Sequence, residues 1–161
     1  MKATVLASNL KEGLESVGHA VATSGTLPIL SYVYLEAKKG GLELVSTNLE
    51  IGIKAKIRAK VDKTGKAVVP FKVLHEFVVN NPDEKINLTL EKETLKLQTE
   101  HFSASLLGTN PEEYPLLPKL EDYKEIELDK ESFLSGIQKV MIAPAMDETR
   151  PVLSGVLFWL Q

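Results

Sequence analysis

Residues 149–161 read TRPVLSGVLFWLQ and residues 26–37 read TLPILSYVYLEA, so the same skeleton of Thr, Pro, Leu, Ser and Val occurs twice in one chain. An offset of 123 residues aligns the two stretches without a gap and carries the match upstream. Gly13/Gly136, Val17/Val140, Ala20/Ala143, Ala22/Ala145, Thr26/Thr149, Pro28/Pro151, Leu30/Leu153, Ser31/Ser154 and Val33/Val156 are identical, while Leu10/Phe133 and Leu14/Ile137 stay apolar. A match that keeps its phase this long is one structural unit written twice, and a repeat of this kind decides the fold.

In the first copy Leu10, Leu14, Val17 and Val21 recur at the spacing of one helix face, with Lys11, Glu12, Glu15 and Ser16 on the other. This predicts an amphipathic helix over residues 8–22, capped by Ser8 or Asn9. Phe133, Ile137 and Val140 repeat the face in the second copy, and Pro151, like Pro28, opens an extended segment.

Between the copies, alternation dominates. KATVLA is a short strand, and ILSYVYLEAKKGGLELVSTN forms two strands joined at Gly40 and Gly41. EIGIKAKIRAKV places Ile51, Ile53, Ala55, Ile57 and Ala59 on one side and Lys54, Lys56, Arg58 and Lys60 on the other, which predicts one half-buried strand. GKAVVP is then a strand and FKVLHEFVVNN a helix with Phe71, Leu74, Phe77 and Val78 on one side. KINLTLEK, TLKLQTE and FSASLLG follow as three strands. The plan is an α+β domain made of a doubled β-α-β-β-β unit. It spans residues 1–123, and Pro111, Pro115 and Pro118 mark a linker at about 109–123. Residues 124–161 begin a second domain of the same plan, which is cut off after its first helix and following strand.

Composition bounds the function classes. The chain has 161 residues, 43% apolar and 25% charged, with net charge −3, as expected of a water-soluble globular protein that is no general polyanion binder. No apolar run approaches a bilayer span, so a cytoplasmic protein with no membrane partner is expected. The absence of cysteine removes disulfides and thiolate metal sites.

The KATV start, TLPILS, ELVSTNLEIGI, VVPFKVLHEFV, FSASLLG before EYP, and RPVLSGVLF occur together in order. In this the chain resembles the bacterial sliding clamp, the beta subunit of DNA polymerase III. The resemblance implies a DNA-clamp fold, with two helices packed on antiparallel sheets in each domain. It further implies three such domains per full-length chain and a head-to-tail homodimeric ring, with helices lining the hole and sheets outside. Such a ring encircles duplex DNA without reading its sequence and tethers the replicative polymerase and clamp-loader subunits. It acts as a processivity factor with no catalytic residue and no cofactor.

Carried onto this sequence, the resemblance implies DNA contact by Lys11, Lys72 and Lys139 on the helices, with His19 and His75 beside them. Ser24 stands in the loop where the family often has Arg. Arg150 and Leu153 fall in the groove that takes short linear peptides; the plainer alternative for Leu153 is a core position like that of Leu30. Phe102, with Val73 and Ala104 near it, falls at the subunit interface, the alternative for Phe102 being a core position in an alternating strand. The basic stripe at Lys54, Lys56, Arg58 and Lys60 reads as a solvated exterior, the alternative being a DNA surface.

An enzyme has little to stand on. His19, His75 and His101 are scattered over different elements, and no HExxH, P-loop, GxGxxG or GxSxG sequence occurs. DETR at residues 147–150 is a charged loop before it is a metal site, and no metal is expected. The alternatives are a truncated clamp relative acting as a non-encircling interaction module and, far behind, a small-molecule hydrolase.

Overall fold

The computed structural model describes residues 1–23, 27–115, 117, 125–145 and 150–159, and the chain divides into two units, Met1–Pro118 and Lys119–Gln161. The first unit runs β1 (Lys2–Leu6), α1 (Ala7–Gly18), β2 (Tyr32–Lys38), β3 (Gly41–Thr47), β4 (Gly52–Ile57), β5 (Ala59–Lys63), β6 (Gly65–Pro70), α2 (Phe71–Asn80), β7 (Lys85–Glu91), β8 (Thr94–Gln98) and β9 (Ser103–Leu107). All pairings are antiparallel. One sheet has the order β5-β1-β7-β8-β9 and the other β4-β3-β2-β6.

The doubling is interlaced. The first strand of each half pairs with the meander of the other, β1 with β7 and β6 with β2. Neither half can therefore satisfy its own backbone alone. The two sheets meet covalently at Arg58 and again where Thr109 N–H donates to the Val68 carbonyl at 3.0 Å.

A single core lies between sheets and helices. Leu10, Leu14 and Val17 of α1 and Leu74 and Val78 of α2 bury against Leu35 and Leu44 of one sheet and Ile86, Leu88 and Leu97 of the other. Gly13 is where α1 comes close to the sheet. A Cβ there would lie 2.5 Å from Leu44 Cδ1 and 2.8 Å from Ile57 Cγ2. The buried Ser46 hydroxyl donates to the Val17 carbonyl and satisfies the end of α1.

Four expectations change. Pro28 and Pro151 open 3-10 turns, Pro28–Ser31 and Pro151–Ser154, and not extended segments. The segment at residues 50–61 is two strands in two different sheets rather than one. The inward phase of Ile53, Ala55, Ile57, Ala59 and Val61 continues through the switch at Arg58, so alternation cannot reveal it. Helix α1 starts at Ala7, with Leu6 as N-cap and no side-chain cap, so neither Ser8 nor Asn9 caps it; the Ala7 N–H instead donates to the Glu84 carbonyl at 2.8 Å. It also ends at Gly18, short of Val21. Finally, the proline-rich stretch begins as packed structure. Tyr114 is buried with Tyr34, Val45 and Val68 on the outward face of the second sheet, and its hydroxyl donates to the Tyr32 carbonyl at 3.1 Å. Burial pushes its phenol up to about 12.

The second unit repeats the local geometry of the first. Its helix α3 (Lys130–Val140) is capped by Asp129, which accepts from Ser132 N–H at 2.8 Å. The Ala22 N–H donates to the Leu30 carbonyl at 3.0 Å, and the Ala145 N–H donates to the Leu153 carbonyl at 2.9 Å. Ala20 to Val17 and Ala143 to Val140 are matched in the same way, both at 3.0 Å. The burial differs. Leu30 is 6% exposed and Leu153 51%, because no strand overlies α3 among the described residues. Residues 125–129, the mates of β1, accordingly carry no strand pairing.

Candidate nucleic-acid, peptide and subunit surfaces

The sequence fixes the helix faces through packing. Gly18 lets α1 approach α2 so closely that a Cβ there would lie 2.8 Å from Phe71 Cζ, and Phe71 in turn stacks on His75 with centroids 5.4 Å apart. Lys11 and Lys72 are then left in solvent on the polar sides of the two helices. Each has an acidic neighbour one turn on: Lys11 Nζ is 3.9 Å from Glu15 and Lys72 Nζ 4.0 Å from Glu76. Exposed pairs of this kind add little stability, but they lower the local positive field. His19 is exposed just past α1. Lys139 sits in the last turn of α3, in the other unit. Ser24 lies outside the described residues, as do Asp147, Glu148 and Thr149.

The basic stripe divides into two parts. Lys54 belongs to a surface network in which Glu43 lies 3.5 Å from both Lys54 and Lys38, and Lys38 lies 3.0 Å from Glu36. The hydrogen bond to Glu36 raises the Lys38 pKa, while burial, with Glu36 beside it, pushes Tyr34 up to about 12. Lys56, Arg58 and Lys60 have no ion pair among the described residues and border a wide, open groove beside α1.

Phe102 and Val73 are each 51% exposed, on adjoining parts of the β9 end and α2. The core alternative for Phe102 does not hold, because the turn from Thr99 to Phe102 carries its ring outside the strand. Thr99 N–H donates to the Phe102 carbonyl at 2.9 Å, and Phe102 N–H donates to Thr99 Oγ1 at 3.0 Å. Ala104 differs: it packs partly buried against the main core, so it supports the surface from behind. Strand β9 is the sheet edge, and Leu107 on it is exposed. Unpaired edge backbone next to apolar side chains suits strand-to-strand docking.

Arg150 and Leu153 are joined by a tight turn in which Leu153 N–H donates to the Arg150 carbonyl at 2.9 Å. Phe133 stacks on Phe158 at 5.8 Å, and together with Ile137, Val140 and Val156 they line an apolar groove of about 410 Å³ in this unit.

Sequence reasoning missed a clamp between two loops. Asp83 Oδ1 lies 2.7 Å from His101 Nδ1, and Asp83 Oδ2 accepts from His101 N–H at 3.0 Å. Hydrogen bonds from Thr99 and His101 hold the carboxyl down at about 2. The partners are 18 residues apart on separate loops, and no local pattern announces them.

Comparison with known proteins gives the family of the chain. Residues 1–118 match the family model described as DNA polymerase III beta subunit, N-terminal domain. The Beta sliding clamp of Synechocystis is 30% identical over 165 residues, which cover 97% of this chain and 42% of that protein. Two solved structures share the fold. The beta subunit from DNA polymerase of Streptococcus pyogenes has a TM-score of 0.90 at 22% identity, covering 96% of this chain and 43% of that one. The DNA polymerase sliding clamp from Caulobacter crescentus has a TM-score of 0.90 at 26% identity, with the same coverage. The chain thus spans about two fifths of the length of these relatives.

Proposed function

Since the chain belongs to the DNA polymerase III beta subunit family, matching its N-terminal domain model over residues 1–118, we propose that it supplies the first domain and the opening of the second in a sliding clamp. The whole protein would encircle duplex DNA as a homodimer and tether polymerase and clamp-loader subunits, with no chemistry of its own. The family match carries this reading. The interlaced doubled domain supports it, because it presents helices on one side and two joined sheets on the other.

The helix face is suited to sliding. Lys11 and Lys72 are exposed and already paired, so attraction to phosphate is diffuse, sensitive to salt and indifferent to sequence. Phe102 and Val73 beside the edge of β9 form the proposed subunit contact, with Ala104 behind them. Arg150 and Leu153 belong to the proposed peptide-binding surface by family resemblance alone, since neither lines the apolar groove at Phe133. Among the described residues no helix is long and apolar enough to cross a membrane.

The test is topological. The full-length protein loaded on nicked circular DNA should remain bound at high salt and run off once the circle is linearised. Equal retention on both forms would overturn the encircling mechanism and favour a non-encircling interaction module.

A further inference from the structure

Residues 81–84, between α2 and β7, and residues 99–102, between β8 and β9, meet at a cluster that none of the proposed surfaces uses. The Asp83 side chain is only 9% exposed, and its carboxylate is fixed through both oxygens by His101. That pair is complete by itself. Glu100 nevertheless brings a second carboxylate to the same place: Asp83, Glu100 and His101 each offer a ligand atom within 4.8 Å of the other two. Glu100 is exposed and makes no hydrogen bond or ion pair among the described residues, so its carboxylate turns towards Asp83 without breaking a native contact. Asn81 Nδ2 donates to the Asp83 carbonyl at 2.8 Å and holds loop 81–84 in shape. A hydrated cation offers the positive charge that two neighbouring carboxylates and an imidazole can share.

We infer that Asp83, Glu100 and His101 form a binding site for one divalent transition ion of the zinc class. Asp83 is the fixed ligand and the exposed Glu100 and His101 close on it, with water completing the shell. One imidazole and two carboxylates suit zinc and its neighbours better than calcium or magnesium, which prefer all-oxygen shells. Ligand bonds of about 2.0–2.2 Å require ligand atoms about 3–4 Å apart, a spacing these side chains reach by rotation alone. Because Phe102 follows His101 directly, an ion here would also stiffen the turn that presents Phe102. The site does not depend on the clamp reading.

The experiment titrates zinc chloride into the full 161-residue chain, free of any histidine tag, by calorimetry, with thermal unfolding in parallel. One ion per chain should bind, and the midpoint should rise by about 5–10 °C at a hundredfold excess over the dissociation constant. Glu100→Gln should leave the metal-free midpoint unchanged yet weaken binding at least about tenfold. His101→Ala should abolish binding, whereas His19→Ala and His75→Ala should not alter it. No binding up to about 1 mM zinc, wild-type affinity in Glu100→Gln, or loss of binding in the His19 or His75 variant would each overturn the assignment.

Discussion

Replacing Gly13 and Gly136 by alanine, one at a time, probes the repeat most directly, because the two glycines are mates in sequence and opposites in surroundings. An alanine in a helix interior gains about 1 kcal/mol over glycine. At Gly13 that gain meets Leu44 Cδ1 at 2.5 Å, on a fully buried core side chain, and Ile57 Cγ2 at 2.8 Å, on a half-buried one. Overpacking of this kind costs about 1–3 kcal/mol, so the balance is a loss of about 1 kcal/mol from the first unit. At Gly136 a Cβ would meet nothing within 4 Å, so the helix gain survives whole. Helix α3 has 11 residues, near the limit at which an isolated helix holds. A stabilisation of about 1 kcal/mol should therefore raise amide protection across α3 about fivefold. Urea unfolding reads the first variant and hydrogen exchange the second. If Gly136→Ala lowered protection of α3, the helix would be packed as α1 is, and the account of the second unit would fail. In a longer form with strands equivalent to β3 and β4 after Gln161, the same substitution should become destabilising.

Three further outcomes follow from the packing. Tyr114→Phe removes the hydrogen bond to the Tyr32 carbonyl and should cost about 1 kcal/mol in urea unfolding, whereas Tyr114→Ala, which also empties the cluster with Tyr34, should cost about 3–5 kcal/mol. The folded-state pKa values of Tyr34 and Tyr114 are raised from 10.0 to about 12, so the stability they contribute is complete below pH 10 and is lost as pH climbs towards 12. Stability measured across that range should fall, and a flat profile would contradict it. Phe102→Asp should leave unfolding of this chain unchanged, since the ring is half in solvent, yet shift the full-length protein towards monomer in analytical ultracentrifugation.

Much of the fold was legible because its signals are local. The face formed by Leu10, Leu14 and Val17 and the alternation from Lys85 to Leu107 each report a neighbour within a few residues. What failed to show was non-local. The crossing at Arg58 keeps its inward phase, so a change of sheet leaves no mark on the sequence. The cap of α1 comes from Glu84, far along the chain, and the apolar residues on the outward face of β2 make sense only once Tyr114 covers them. Of the site residues, Phe102 and Val73 were placed by resemblance, and their exposure agrees with a surface role, while Ala104 turned out to face the core. His101 looked isolated because its partner Asp83 lies on another loop.

The interlacing of β1 with β7 sets a timetable for synthesis. Thr4 and Asn87, bonded to each other across that pair, are 83 residues apart, and the Leu90 N–H donates to the Met1 carbonyl. At about 5–20 residues per second, the ribosome delivers β7 roughly 4–17 s after β1. For that interval the opening strand can join only β5, its other edge stays open, and its apolar Ala3 and Val5 wait for Leu88 and Ile86. The first half cannot settle early and then recruit the second, so both must condense in one late event. A nascent chain arrested before about residue 91 should therefore remain open to proteases and available to chaperones, whereas one released past Tyr114 should close as a single cooperative body.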